Sequence, residues 1–122
     1  MTNRVFFKVI IAGGRDFQDY NLLKEKCDSI LSSVKDDIMI VSGCATGADS
    51  LGEKYAAEND YIVAYFQPNW NLYGRGAGMV RNKEMAEYGD ALIAFHDGQS
   101  KGTANMIKIA KEKGLKVRVI NY

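Results

Sequence analysis

Three short segments of the chain gather the residue types that receive an anion. Gly13-Gly14-Arg15-Asp16-Phe17 is the first. Ser42-Gly43-Cys44-Ala45-Thr46-Gly47-Ala48-Asp49 is the second, and His96-Asp97-Gly98-Gln99-Ser100-Lys101-Gly102-Thr103 the third. Glycine allows close backbone approach and positive φ. A helix that starts just after such a loop offers unpaired N–H groups and a partial positive charge. Arg15 directly follows the first glycine pair, where a guanidinium can grip phosphate or carboxylate through two parallel hydrogen bonds. Arg81 and Asn82 follow Gly76-Ala77-Gly78. A cation early in a helix opposes the helix dipole, a conflict that a bound anion relieves. The candidate ligand-binding set is therefore Gly13, Gly14, Arg15, Asp16, Ser42, Gly43, Thr46, Gly47, Asp49, Arg81, Asn82, Asp97, Gly98, Ser100, Gly102 and Thr103. Trp70 and Tyr73, in the long connection around Pro68, are candidates for stacking on a base.

Each of these residues also has a plain structural role to set against the chemical one. Glycine after a strand serves any turn, and one such loop is weak evidence; three loops converging on one sheet edge favour a binding site. Arg15 has surface ion-pair partners in Asp16 and Asp19. Thr46 and Asp49 have capping-box spacing, with Thr46 as N-cap. Asp49 suits a ribose hydroxyl as well as a helix N-terminus. Trp70 has an alternative role as an anchor of its loop to the core. His96, the sole histidine, has no evident nucleophile beside it, so a structural role outweighs general-base catalysis. Cys44 lies where a helix N-terminus would lower a thiol pKa, yet no histidine pairs with it by spacing. No catalytic residue is assigned, and no metal-ligand spacing is present. The dinucleotide fingerprint G-x-G-x-x-G and a Walker lysine are both absent after the first strand.

Apolar runs alternating with helical stripes must position these loops. Val5–Ala12, Ile38–Val41, Tyr61–Phe66 and Ala91–Phe95 are near-continuous apolar runs, as buried parallel strands are. Val117–Ile120 alternates with Lys116 and Arg118, which suits an edge strand. Between them, Tyr20 to Val34, Ala48 to Ala56, Gly78 to Tyr88 and Thr103 to Ala110 carry helical spacing, and Gly114 suits a C-terminal cap. The alternation predicts an α/β, Rossmann-like three-layer sandwich with a five-stranded parallel sheet of order 3-2-1-4-5. Strands one and four are then neighbours at the switch point, beyond whose carboxyl ends ligands bind.

The 122 residues fit a single domain. Net charge is +1, so nucleic acid is not an expected partner. Cys27 and Cys44 form no CxxC pair, and the opening MTNRVFFKVIIAGG is too short and too charged for a span or leader. A cytoplasmic, soluble protein with no membrane partner is expected; oligomeric state is left open by the sequence, with a homodimer the commonest arrangement for such a domain.

Taken in order, IAGGRDF, SGCATGADSLGEKYA, NWNLYGRGAGMVRNKEMAEYGDALIAF and DGQSKGTANMI resemble the YspA-related branch of the SLOG superfamily across nearly the whole chain. The resemblance implies a Rossmann-like fold that binds a nucleotide-derived ligand such as ADP-ribose or an NAD derivative, in a sensor role. No other cofactor is implied. The wider superfamily resembles the LOG phosphoribohydrolases and the DNA-binding protein DprA, which makes an N-glycosidic hydrolase and a nucleic-acid-binding module the alternatives. LOG enzymes carry methionine-x-x-arginine-lysine on a helix and then a GGxGTxxE loop. Met79-Val80-Arg81-Asn82 occupies the first place, and Arg81, Gly102 and Thr103 match that pattern. The lysine has become Asn82, and the catalytic glutamate position falls on Met106, with Glu84 and Asp97 as the remaining nearby carboxylates. By this resemblance the phosphate-binding half is retained and the hydrolytic half is lost.

Overall fold

The computed structural model describes residues 5–122. Met1–Arg4, the head of the opening stretch, lies outside them. Five parallel strands form one sheet: β1 (Phe6–Gly13), β2 (Asp37–Ser42), β3 (Ile62–Tyr65), β4 (Ala91–His96) and β5 (Lys116–Asn121). Their order is β3-β2-β1-β4-β5. Ile10 pairs with Val41 on one side and with Leu92 on the other, so β1 is the spine of the sheet.

Side-chain alternation along β1 sends Val9 and Ile11 to one face and Ile10 and Ala12 to the other. Helices α1 (Tyr20–Leu31) and α2 (Ala48–Glu58) cover the first face, packing Leu23, Cys27, Leu31, Tyr55 and Ala56 on the sheet. Helices α4 (Ala77–Tyr88) and α5 (Lys101–Glu112) cover the second with Met85, Ala86, Met106 and Ala110. Local signals set their ends. Asp19 caps α1 by accepting from the Leu22 amide at 3.0 Å, and Ser100 caps α5 by accepting from the Thr103 amide at 3.3 Å. Gly114 follows α5 at φ +78°.

Two sequence expectations need correcting. The third apolar run is an edge strand with Ile62 and Tyr65 exposed, because among the described residues no strand pairs beyond β3. The connection from Gln67 to Ala77 is not irregular: it holds a one-turn helix, α3 (Trp70–Tyr73), and a 3-10 turn over Gly74–Gly76. Asn69 organises α3 by accepting from the Leu72 amide at 3.1 Å. Among the described residues, no helix is long and apolar enough to cross a membrane.

Candidate functional site

The loops after β1, β2 and β4 meet at the carboxyl rim of the sheet, where strands β1 and β4 diverge into helices on opposite faces. A cleft of about 420 Å³ opens there. Gly13, Gly14, Arg15 and Asp16 line it from the first loop, and Asp49 from α2. Arg81 and Asn82 line it from α4; Asp97, Ser100, Gly102 and Thr103 line it from the third loop and α5. Arg15 and Arg81, 66 positions apart in sequence, therefore face one cavity.

The first loop is fixed by its main chain. The Gly14 amide donates to the Phe95 carbonyl at 3.2 Å, and the Gly14 carbonyl accepts from the amides of Phe17 and Ala48, each at 3.2 Å. Gly13 abuts the Phe95 carbonyl and the Ala48 side chain, which leaves no room for a Cβ. The Gly14 amide is thus committed to β4 and is not free to receive phosphate. The same holds for the Thr103 amide, which goes to its cap, Ser100. The amides left open at this end of α5 are those of Lys101 and Gly102, the first two of the helix.

Arg81 is held in place. Its guanidinium donates to the Gly43 carbonyl, and its Nε donates to Asn82 Oδ1 at 3.0 Å. Burial lowers its pKa from the ordinary arginine value, and the neighbouring charge of Asp49 counters this. The remaining Nη2 edge is free for an anion. Arg15 is exposed and has no carboxylate ion-pair partner among the described residues, so the expected pairing with Asp16 or Asp19 does not form. Asp16 instead accepts from the Tyr122 hydroxyl at 3.0 Å. Asn82 is buried and donates to Asn105 Oδ1 at 2.9 Å, tying α4 to α5.

The second loop departs most from its sequence reading. Thr46 is not the N-cap of α2; Gly47 is, at φ +75° and with no side-chain cap. The capping is inverted, because Asp49 reaches back and accepts from the Ala45 amide at 3.2 Å. Thr46 instead turns its hydroxyl toward the Arg15 carbonyl at 3.5 Å. Ser42 does not line the cleft. It is fully buried, donates to Glu53 Oε2 at 2.6 Å and accepts from the Cys44 amide at 3.1 Å, which holds Cys44 at φ +66°. Gly43 and Thr46 line a neighbouring hollow, Gly47 and Gly98 lie outside both, and Tyr73 is exposed away from either. Cys44 has its pKa raised, first by burial and then by Glu53, the reverse of a helix-activated thiol. His96 also lies outside the cleft, with its buried Nδ1 lacking a hydrogen-bond partner and 3.9 Å from Asp97 Oδ1.

Three aspartates balance the two arginines. Asp97 accepts from the amides of Gln99 and Ser100 at 2.8 and 2.9 Å, and these bonds lower its pKa. Asp49 is only 5% exposed, and burial raises its pKa above the usual carboxylate value. Native Asp49 therefore holds its proton to higher pH than it does in the unfolded chain. Across the carboxylate range its contribution to stability falls as pH rises. Asp49→Asn removes that slope, so urea titrations should find the variant gaining on the parent between pH 4 and pH 7. A difference in stability that stays constant with pH would contradict this assignment.

Of the cleft floor only Met106 was named from the sequence, through the LOG resemblance. Ala12, Met85 and Met106 form it, with Ala45 at the side. Met85 lies one helical turn beyond Arg81, and Met106 lies three residues beyond Thr103, so helical spacing held the signal. Nothing in the sequence pointed to Glu53 or Tyr122. Among the described residues no group of three or more His, Cys, Asp or Glu side chains is placed to hold a metal ion.

The chain is similar to known proteins in both sequence and fold. The gene 61 protein of Mycobacterium phage D29 is 29% identical over 121 residues, which cover 94% of this chain and 95% of the relative. DNA processing protein A (DprA) from Streptococcus pneumoniae superposes with a TM-score of 0.75 at 17% identity, over 96% of this chain and 51% of that one. The chain thus spans about half of DprA, and the likeness is one of fold. A model of the YspA, cpYpsA-related SLOG family (YAcAr) matches residues 7–73, over half of the sequence, and the chain belongs to that family.

Proposed function

We propose that the cleft at the carboxyl rim binds the sugar-phosphate part of a nucleotide-derived ligand, and that the protein acts as a sensor of it. One observation carries this reading: Arg15 and Arg81 face the same cavity as the first turn of α5. Phosphate is received by the free Nη2 edge of Arg81, by Arg15 and by the amides of Lys101 and Gly102. Asp16, Asp49 and Asp97 supply acceptors for sugar hydroxyls, which have protons to donate. A purely anionic ligand has no use for three carboxylates, whereas a phosphorylated sugar uses both signs of charge.

Binding without N-glycosidic hydrolysis is the form of this reading we favour. Met106 forms part of the floor, so a thioether lies where the LOG resemblance places a catalytic carboxylate. Glu84 does not line the cleft, and the amide bonds to Asp97 Oδ1 lower its pKa, so Asp97 can accept from a hydroxyl but is a poor proton donor to a leaving group. A nucleic-acid-binding role finds no support in the charge balance of +1.

Calorimetry with AMP, ADP-ribose and NAD tests the proposal. Saturable binding of at least one compound is expected, weakening as salt rises because the contact is charged. If none of them binds folded protein at millimolar concentration, the reading fails.

A further inference from the structure

The groups proposed to receive phosphate belong to different helices: the Nη2 edge of Arg81 to α4, and the amides of Lys101 and Gly102 to the start of α5. One side chain touches both. Asn82 is 6% exposed. Its Oδ1 accepts from Arg81 Nε at 3.0 Å. Its Nδ2 donates to Asn105 Oδ1 at 2.9 Å and to the Gly102 carbonyl at 3.4 Å.

We propose that Asn105 is a positioning residue for the anion: through the Asn82 amide it fixes the Arg81 guanidinium against the first turn of α5 before a ligand arrives. The inference rests on the nucleotide reading of the cleft and deepens it by naming what sets the geometry of the phosphate site.

Donor and acceptor chemistry gives this relay its direction. A guanidinium only donates, so the Asn82 oxygen faces Arg81 and its amide nitrogen faces α5. Asn105 Oδ1 is the side-chain acceptor that holds the amide in that sense, one helical turn past Gly102. With its nitrogen directed at two acceptors on α5, Asn82 supports the site and does not contact the ligand. Arg81 is gripped a second time, where Nη1 donates to the Gly43 carbonyl. That carbonyl stands beside a second hollow, which Gly43, Thr46 and the exposed Trp70 line. With Nε and Nη1 both engaged, the guanidinium plane is fixed and Nη2 is left for the ligand. A bridge that served only to join α4 to α5 would need the bond from Asn82 to Asn105 alone. Adjacent residues on a helix do not face one another, so Arg81 has to turn back to reach Asn82. Arg15 has no comparable support, being exposed and without a carboxylate ion-pair partner among the described residues. Ordering one long side chain on binding costs up to about ten-fold in affinity, and the relay removes that cost in advance for Arg81.

Asn105→Leu keeps the bulk at a half-buried position and removes the acceptor. In ligand-free protein, heteronuclear NMR should find the Arg81 Nε proton exchanging with solvent about ten-fold faster in the variant than in the parent. AMP and ADP-ribose, titrated by calorimetry, should bind Asn105→Leu about ten-fold more weakly than the parent. Arg81→Lys has no Nε to engage Asn82, so adding Asn105→Leu to it should change those affinities by less than about two-fold. Circular dichroism checks the fold of each variant, and Asn105→Ala, with no added bulk to misfit, is a second variant expected to move both readouts the same way. An unchanged exchange rate at Arg81 Nε, affinities unmoved by Asn105→Leu, or equal weakening in both backgrounds would overturn the relay and leave the nucleotide reading standing. Failure of both compounds to bind the folded parent would count against the nucleotide reading, and the exchange rates alone would then decide the relay.

Discussion

Arg81→Ala is expected to lower affinity for any phosphorylated ligand about a hundred-fold, since hydrogen bonds to charged groups are worth about 1.5–3 kcal/mol each. The loss has two sources. The free Nη2 edge disappears, and so does the larger of the two cationic influences that offset Asp49, the smaller being Arg15. Without Arg81 the carboxyl of Asp49 faces the phosphate with less compensation, so weakening should be worse at neutral pH than near pH 4. Arg81→Lys keeps the charge and loses the planar fork that holds Gly43 and Asn82 together with the ligand. It should recover only part of the affinity. Thermal melts separate this from unfolding, because the Gly43 carbonyl left behind lies beside the second hollow, where water reaches it. Titrations that find Arg81→Ala binding as tightly as the parent would place the anion elsewhere.

The sheet was legible because burial on both faces writes itself into sequence as continuous apolar runs; Ala91–Phe95 of β4 is one without a break, and β1 is interrupted only at Lys8. Strand order followed from handedness and connection length, which need no side-chain detail. Loop chemistry was less legible, because it depends on which main-chain groups are already spoken for. Gly14 looks in sequence like an open phosphate amide; only the register of β1 against β4 reveals that Phe95 takes it. Thr46 and Asp49 have the spacing of a capping box, yet the positive φ at Gly47 moves the cap by one residue and turns Asp49 backward onto Ala45. Ser42 reads as a pocket hydroxyl, but strand parity aims it at Glu53, eleven residues on in α2. In each case the competing partner comes from a non-adjacent element. Arg15 and Arg81 were legible for the opposite reason: long cationic side chains on loop and helix ends at one rim have few other places to go.

The second large effect is expected at Gly47. Its φ of +75° and ψ of −127° fall in a region that glycine alone enters readily. A Cβ there would also drive into the Gly14 carbonyl and the Arg15 backbone. Both are main-chain atoms of the loop that Ala48 tethers, so no flexible side chain can yield. Gly47→Ala should therefore destabilise the protein by about 3 kcal/mol or more, adding a clash to the 1–3 kcal/mol of backbone strain. Gly98 is the control. It has φ +87°, but nothing lies within 4 Å of where its Cβ would be. Gly98→Ala should cost only the conformational penalty, about 1–2 kcal/mol. Urea denaturation of the two variants measures the difference. Ligand affinity should move with it, because relieving the clash at position 47 requires the first loop to leave the second, which carries Arg15 away from Arg81. Equal costs at the two glycines would mean that the loops are not packed against one another, and the shared cleft would lose its structural basis.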